Sequence, residues 1–312
     1  PPITNDNTMS LRSDEFGDFF STNSEYSEFV NSGRWSKDKY VVRLHRLCEV
    51  ITSLNADVYV FEEIENESVL YDISNQLAGH SWDSSKNWNY GCFVKESNSS
   101  IGCAVLSKYE LGSVKSHGMD IRTQKDSQPS VRSILEVTVL AGGKELVMFV
   151  NHWKSKLGGE EESEIWRDWQ EFILSNCVYD VGDVNVVNED SSLRGLICVG
   201  DFNRSAEDFV TFFESKTCVN KNTILRGFNE VLVWNPWFCG DGSFVSETGS
   251  YFYNDSWERI DNFLSSGNCK LTAFSPKTNG NWVNGKGTPN GYKIFTGEGY
   301  SDHLPIMCTI VM

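Results

Sequence analysis

The stretch RWSKDKYVVRLHRLCEVITSLNADVYVFEEIENESVL, residues 34–70, alternates helical and strand patterns and decides the fold class. After Ser36, a typical helix N-cap, apolar residues recur at helical spacing until Asn55, which we expect to end the helix. Residues 57–64 form a mostly apolar run that ends near two glutamates, as a buried strand does. In residues 66–78 the apolar residues again recur at helical spacing. A helix, a strand and a second helix in succession predict an α/β protein.

Six later segments are rich in β-branched or aromatic residues and predict further strands. They lie at 102–107, 133–140, 145–153, 196–202, 259–265 and 305–312. A helix is predicted over 163–177, and Ser205 with Asp208 predicts a capped helix that enters FVTFFES, 209–215. Because helices and strands are mixed throughout, we expect one domain over residues 1–312. Within it, residues 1–36 have no clear period and are expected to be an acidic loop region.

The composition excludes several classes of protein. The chain has 312 residues, of which 39% are hydrophobic, and no apolar run approaches the roughly 20 residues that a membrane-spanning helix needs. A net charge of −16 excludes a generally basic protein that coats nucleic acid, so such a partner requires a local basic patch or bound cations. The closest of the nine cysteines, Cys92 and Cys103, are 11 residues apart, which excludes CxxC zinc and redox motifs.

Polar and ionisable side chains stand at the ends of several predicted strands. They are Glu62 and Glu63 in VFEEI, His152 in FVNHWKSK, Asp201 and Asn203 in VGDFN, Asp261 in ERID, and Asp302 and His303 in SDHLP. A carboxylate on the rim of a rigid sheet suits a hard cation, and Asp201 and Asn203 project to the same side of a strand. Taken singly, each segment also has an ordinary structural explanation, since charges at strand exits are usually solvated and Gly, Asp and Asn are common in turns.

Taken together and in this order, the five segments resemble the endonuclease/exonuclease/phosphatase superfamily, which includes DNase I-like nucleases. Residues 34–70 also resemble the first helix, second strand and glutamate-bearing segment of bacterial members, and the resemblance extends to residue 312. It implies a four-layer α/β sandwich in which two mixed β-sheets pack face to face. It also implies an active site at one edge of the sheets, and a metal-dependent phosphodiesterase.

The resemblance further implies a metal and a general base. Glu63 would bind Mg2+, with Mn2+ or Ca2+ as alternatives. His303 would be the general base, polarised by Asp261, and Asp302 would support either the metal or His303. Such a carboxylate holds the imidazole in one tautomer and stabilises its charged form.

The remaining implied roles concern water and phosphate. Asp201 would orient or deprotonate the attacking water, Asn203 would hold a phosphate oxygen, and His152 would hydrogen-bond the scissile phosphate. Lys154 and Lys156 would bind substrate. Positioning the nucleophile and neutralising charge on the phosphate oxygens are the main requirements of phosphoryl transfer.

The sequence departs from the family pattern at two places. Glu62 stands where the family commonly has Gln, which adds negative charge beside the proposed metal ligand. The family also carries an Asn on a first strand, in a segment resembling N-x-x-N-L-F, and we do not find it. We therefore expect that the chain starts inside the fold or that this strand was lost, which would remove one strand from a sheet and one amide from the site.

Nucleic acid is the favoured substrate, because Lys154 and Lys156 follow His152 and a loop with Arg122, Lys125 and Arg132 offers further cations. An inositol-phosphate or sphingolipid phosphoesterase is the second interpretation, and exposed aromatic loops would favour it. The candidates for such loops are Trp82, Trp88, Trp234, Trp237 and Trp282. The third interpretation is a non-catalytic binding or scaffold relative that lacks the first-strand Asn. We expect a monomer without a transmembrane segment.

Overall fold

The computed structural model describes residues 36–79, 87–96, 99–119, 131–157, 159–187, 194–215, 218–240 and 242–312. Its helices and strands follow in the order α1 (Lys37–Leu54), β1 (Val58–Ile64), α2 (Ser68–Ala78), β2 (Tyr90–Val94), β3 (Gly102–Ser107), β4 (Glu110–His117), β5 (Ile134–Ala141), β6 (Lys144–His152), α3 (Glu160–Val187), β7 (Arg194–Asp201), β8 (Val210–Ser215), β9 (Cys218–Leu225), β10 (Val231–Val233), β11 (Tyr251–Tyr253), β12 (Ser256–Glu258), β13 (Asp261–Gly267), β14 (Lys270–Pro276) and β15 (Ile306–Val311). No helix in this part of the chain is long and apolar enough to cross a membrane.

Helix α1 begins and ends at the residues that the sequence predicts. The Ser36 side chain accepts a hydrogen bond from the Lys39 amide, which satisfies one of the free donors of the first turn. At the other end Asn55 adopts a left-handed conformation, with φ of 48°, and its N–H donates to the Ile51 carbonyl. The apolar side of α1 packs with α2 against the sheet β1–β3–β2, where Leu44 and Leu106 are buried.

A five-stranded sheet, in the order β13-β7-β6-β5-β4, forms the centre of the molecule. Strands β6 and β7 are parallel, whereas the other neighbours are antiparallel. Because β6 and β7 are covered on both faces, their sequences are nearly continuous apolar runs. Helix α3 packs on one face, and β1–β3–β2 with the β14–β15 pair covers the other. The predicted four-layer α/β sandwich is therefore confirmed.

The layer opposite the central sheet is divided into two parts. Strands β1–β3–β2 form one part and β14–β15 the other, and among the described residues no strand joins β1 to β15. Both strands line a cavity of about 1450 Å³, which reaches from apolar side chains such as Val60 and Ile310 to the polar residues Asp201, Asp261 and His303. The first strand implied by the family resemblance is not found in the described part of the chain.

The predicted helix through FVTFFES is wrong. The Asp208 carboxylate does accept a hydrogen bond from the Ser205 amide, at 3.0 Å, but only one 3₁₀ turn follows, over Ala206–Phe209. The chain then continues as β8, which pairs with β9. A run of β-branched and aromatic residues favours a strand, and this preference prevails over the capping signal.

Candidate active site

Three adjacent strands bring the predicted residues to one edge of the central sheet. Asp201 is the last residue of β7, and it lies opposite His152, the last residue of β6, and Asp261, the first residue of β13. Parallel β6 and β7 end at the same edge, where the antiparallel strand β13 begins. Residues far apart in sequence thus meet because of strand order.

His303 reaches this edge from the loop before β15 and pairs with Asp261. Its Nδ1 lies 2.8 Å from Asp261 Oδ2, which also accepts a hydrogen bond from the Ser250 hydroxyl at 2.5 Å. Burial alone would lower the pKa of His303, but the negative charge of Asp261 and the hydrogen bond to it outweigh burial and raise the pKa to about 10. The imidazole is therefore held in one orientation with its charged form stabilised.

Asp201 is fixed by the turn that follows it. Its two carboxylate oxygens accept hydrogen bonds from the backbone amide and the side-chain amide of Asn203, at 2.7 and 2.9 Å. Asn203 can do this because it adopts a left-handed conformation, with φ of 46°, and its side-chain amide also donates to the Trp153 carbonyl at 3.1 Å. Burial, followed by the charge of Asp261, raises the pKa of Asp201 to about 7. In this arrangement Asn203 orients Asp201.

His152 is a buried imidazole with one unused ring nitrogen. The residue is 5% exposed, its Nε2 lies 3.9 Å from Asp201 Oδ2, and its Nδ1 has no hydrogen-bond partner within the described structure. Burial, then the positive charges of Arg132 and His303, lower its pKa well below the usual value. A neutral buried imidazole with an unsatisfied nitrogen is suited to hydrogen-bond a ligand.

The two glutamates of β1 have different environments. The Glu62 carboxylate lies against β7, since a Cβ added at Gly200 would be 2.8 Å from Glu62 Oε1. Its pKa is raised to about 8, first by burial and then by the charges of Asp261 and Asp201. Glu63 is exposed and has a left-handed conformation, with φ of 59°, within a bulge of β1. Both glutamates line the same cavity as His303.

Glu62 is the residue that sequence reasoning missed as a member of the cluster. The family pattern pointed to Glu63 and identified Glu62 only as an added charge. The register of β1 against β3 shifts between Phe61 and Ile64, and this bulge interrupts the strict alternation of side chains along β1. The sequence contains no clear signal for the bulge.

The cations near the site are not equivalent. Lys156 pairs with Glu160 and Glu258, at 3.0 Å each, so its charge is already compensated. Burial, then the charges of Arg132 and Arg167, lower the pKa of Lys154, and no carboxylate among the described residues pairs with its ammonium group. The charge of Arg132 acts on both His152 and Lys154, so these two cations lie near the end of β6.

The other predicted residues are distributed as follows. Asp302 is exposed, and its charge contributes to the raised pKa of His303. Arg122, Lys125 and Trp82 lie outside the described residues. Of the remaining tryptophans proposed for exposed loops, Trp234 is 44% exposed, whereas three are buried. These three are Trp88, Trp237 and Trp282.

The donor set fits a hard divalent cation. The carboxylate oxygens of Asp201 and Asp261 lie within 4.8 Å of each other, and both negative charges act on Glu62. His303 is already paired with Asp261 and is not counted as a donor. The pKa values of Asp201 and Glu62 are raised first by burial and then by repulsion from neighbouring carboxylates. A bound cation would relieve this repulsion, and carboxylate oxygens are the ligands that Mg2+ prefers.

Comparison with known proteins agrees with this fold. A family described as "Endonuclease/Exonuclease/phosphatase family" has a sequence model that matches residues 18–312. No curated protein sequence matches the chain.

Three solved structures of similar fold are notable. Humanized D. rerio TDP2 is 13% identical, with 89% of this chain and 94% of that chain covered and a TM-score of 0.55. The Bacteroides thetaiotaomicron mannosyl-6-phosphatase is 12% identical, with 91% of this chain and 95% of that chain covered and a TM-score of 0.52. The human nocturnin catalytic domain is 15% identical, with 86% of this chain and 85% of that chain covered and a TM-score of 0.51. At these identities the similarity concerns the fold alone.

Proposed function

Since the chain belongs to the endonuclease/exonuclease/phosphatase family, we propose that it is a Mg2+-dependent phosphodiesterase with nucleic acid as its substrate. The observation that carries this proposal is the Asp261–His303 pair, with an Nδ1–Oδ2 distance of 2.8 Å, beside Asp201 at a sheet edge. A carboxylate-supported imidazole next to a second carboxylate is an arrangement that can activate water for attack on phosphorus.

His303 acts as the general base. Asp261 occupies Nδ1, so Nε2 is the ring nitrogen that is left to take a proton from the attacking water. Asp201, held by Asn203, orients that water through a carboxylate oxygen. The neutral His152, whose Nε2 is on the side of Asp201, hydrogen-bonds a phosphate oxygen. No covalent intermediate is required.

The divalent cation would be held by Asp201 together with the carboxylates of β1, Glu62 and Glu63. When bound, Mg2+ neutralises charge on the phosphate oxygens, and Mn2+ or Ca2+ can use the same oxygen ligands. Asp302 lies next to His303 in sequence and adds negative charge near it. We assign Asp302 to support of His303.

Nucleic acid is favoured over lipid for two reasons. Lys154 and Arg132 offer positive charge near His152, the residue proposed to bind the phosphate. Three of the tryptophans that could have formed a lipid-facing surface are buried instead.

The test is hydrolysis of circular single-stranded DNA and supercoiled plasmid by the purified chain. We expect Mg2+-dependent nicking that EDTA abolishes. His303→Ala should lower the rate about 10²- to 10⁴-fold, the usual contribution of a general base. His45→Ala, which removes an exposed histidine on α1, serves as the matched control and should retain the wild-type rate.

Two results would contradict this function. One is intact DNA after prolonged incubation, accompanied by release of phosphocholine or inositol phosphate from lipid substrates. The other is full activity in His303→Ala, which would remove the proposed base from the mechanism. Circular dichroism of each variant shows whether the fold is retained.

A further inference from the structure

A rigid aromatic hairpin stands beside the proposed general base. Strands β11 and β12 pair through Tyr253 and Ser256, and the two residues between them, Asn254 and Asp255, both have left-handed φ values of 47° and 59°. A two-residue turn with both residues in this conformation is the tight type that matches the twist of a hairpin. The hairpin therefore has a defined shape.

The hairpin is attached directly to the site. Tyr251 forms a β-bridge with His303, and the Leu304 amide donates to the Ser250 carbonyl at 2.7 Å. At its other strand, Glu258 pairs with Lys156, close to the end of β6. Both strands of the hairpin are thus fixed relative to the catalytic residues.

Three rings form a row that leads out of the site. The ring centroids of His303 and Tyr251 are 4.6 Å apart, and those of Tyr251 and Tyr253 are 6.1 Å apart with an interplanar angle of 12°. Tyr251 and Tyr253 share one side of β11, while Phe252 packs on Trp257 on the other side. Tyr253 ends the row and is 56% exposed.

We propose that the exposed ring of Tyr253 stacks against an unpaired nucleobase beside the scissile phosphate, so that the enzyme prefers single-stranded nucleic acid. The inference rests on the proposed phosphodiesterase function and deepens it. Tyr253 lines the same cavity as Asp201 and His303, so the ring is within the space that a nucleotide bound at His303 would occupy.

Single strands are favoured because their bases have accessible ring faces. In a duplex each base is already stacked and paired, and removing it from the stack costs a few kcal/mol. Stacking of one base on an aromatic side chain contributes about 1–3 kcal/mol and tolerates any sequence. The tip residues Asn254, Asp255 and Ser256 are polar and exposed, which disfavours insertion of the hairpin into a lipid surface.

The experiment compares two small diesters that differ in the base. The full chain with Mg2+ is assayed on the p-nitrophenyl ester of thymidine 5′-monophosphate and on methyl p-nitrophenyl phosphate. Tyr253→Ala should lower kcat/KM for the thymidine ester about 10-fold, as expected for loss of one stacking contact, and leave the methyl ester unchanged. Tyr253→Phe keeps the ring and should behave as wild type.

The matched control is Tyr179→Ala, which removes an exposed tyrosine of α3 and should affect neither ester. Equal loss on both esters in Tyr253→Ala, or no loss on either, would overturn the stacking role. A loss of kcat/KM in Tyr253→Ala that is confined to an analogue with mannose in place of thymidine would assign the ring to a sugar. That result would also overturn the stacking role. Failure of the wild type to hydrolyse both esters and single-stranded DNA would instead refute the proposed function, and the inference with it.

The preference for single strands is measured with one labelled oligonucleotide, alone and annealed to its complement. Wild type should cleave the single strand at least about 10-fold faster, and Tyr253→Ala should reduce this ratio, because the ring acts only on an unpaired base. Faster cleavage of the duplex by the wild type would contradict the proposal.

Discussion

At the scale of residues, the negative charge of Asp261 controls whether the His303 imidazole is protonated. Without a cation, Asp261 holds His303 in its protonated form, with a pKa of about 10, although burial favours the neutral ring. A protonated imidazole cannot accept a proton from water. A cation bound near Asp201 and Asp261 would oppose this effect, so we expect the pKa of His303 to fall when Mg2+ binds.

This expectation is tested by NMR titration of His303 with and without Mg2+. Wild type in EDTA should titrate near pH 10, and both Mg2+ addition and Asp261→Asn should move the midpoint to lower pH. Cα chemical shifts outside the site, recorded in the same samples, show whether the fold stays intact. A His303 midpoint that stays constant in all conditions would show that Asp261 does not control the base.

The raised pKa also predicts how the pair affects stability. Because the folded pKa of His303 exceeds the unfolded value of about 6.5, the pair stabilises the fold fully below pH 6.5. This contribution is lost as the pH rises towards about 10. Urea unfolding of wild type and Asp261→Asn should therefore show a difference in free energy of unfolding that changes with pH across this window in EDTA. A difference that is independent of pH there would contradict the assignment.

Several residues of the site could be found from sequence because they stand at strand ends. His152, Asp201 and Asp261 follow or begin apolar runs, and three neighbouring strands bring them together. The strand-end pattern pointed to Glu62 and Glu63 together, but it could not show that Glu62 is the one beside Asp201 and Asp261. Its position beside Gly200 depends on a bulge in β1, and a bulge shifts the side-chain pattern without a distinct residue signature.

At the scale of elements, Arg204 joins the site turn to helix α3. Its guanidinium is 2% exposed and pairs with Glu164, Asp168 and Glu171, which recur along one side of α3. Arg204 directly follows Asn203, the residue that orients Asp201. The long helix thereby supports the turn on which Asp201 depends.

Arg204→Ala should lower the free energy of unfolding by about 3–5 kcal/mol, because it removes the close ion pair of the buried Glu171. Within the described structure, Glu171 then keeps the Arg226 backbone amide at 2.9 Å and a longer ion pair with the Arg226 guanidinium at 3.5 Å. Urea denaturation measures the effect. Arg194→Ala is the control, since its pair with Glu145 is partly exposed and should contribute less than about 1 kcal/mol. Similar losses in the two variants would show that burial does not distinguish these pairs.

Sequence pattern predicted the long and strongly apolar elements but not the short or polar ones. Helix α1 and strands β1, β3, β6 and β7 were recognisable because one or both sides are buried. Strand β4, ELGSVKSH, has mostly exposed side chains as an edge strand, and it therefore lacks an apolar repeat.

At the scale of the whole molecule, the two β layers are not equally closed. Strand β6 is hydrogen-bonded to β5 and β7, whereas β1 and β15 each pair with one strand in the described structure and line the cavity between them. An edge strand with one partner opens more easily than a central strand. The different number of strand partners predicts that backbone amides are protected from hydrogen exchange to different degrees along the chain.

Amide hydrogen exchange followed by mass spectrometry should find the slowest exchange in β6 and β7. Amides of β1 and β15 should exchange faster, since half of their edge groups have no strand partner in the described residues. Amides of β5 provide the comparison within the central sheet. Equal protection of β6 and β15 would mean that the cavity edge is closed in solution.

The central proposal at this scale is that carboxylates from distant segments, gathered in one pocket, bind a divalent ion. The most direct test is a crystal of the full chain soaked in Mn2+ at a concentration that supports activity, with the ion located by anomalous scattering. The peak should lie in the cavity, between the Asp201 carboxylate and the two glutamates of β1, Glu62 and Glu63. A peak elsewhere with none in this cavity would contradict the account.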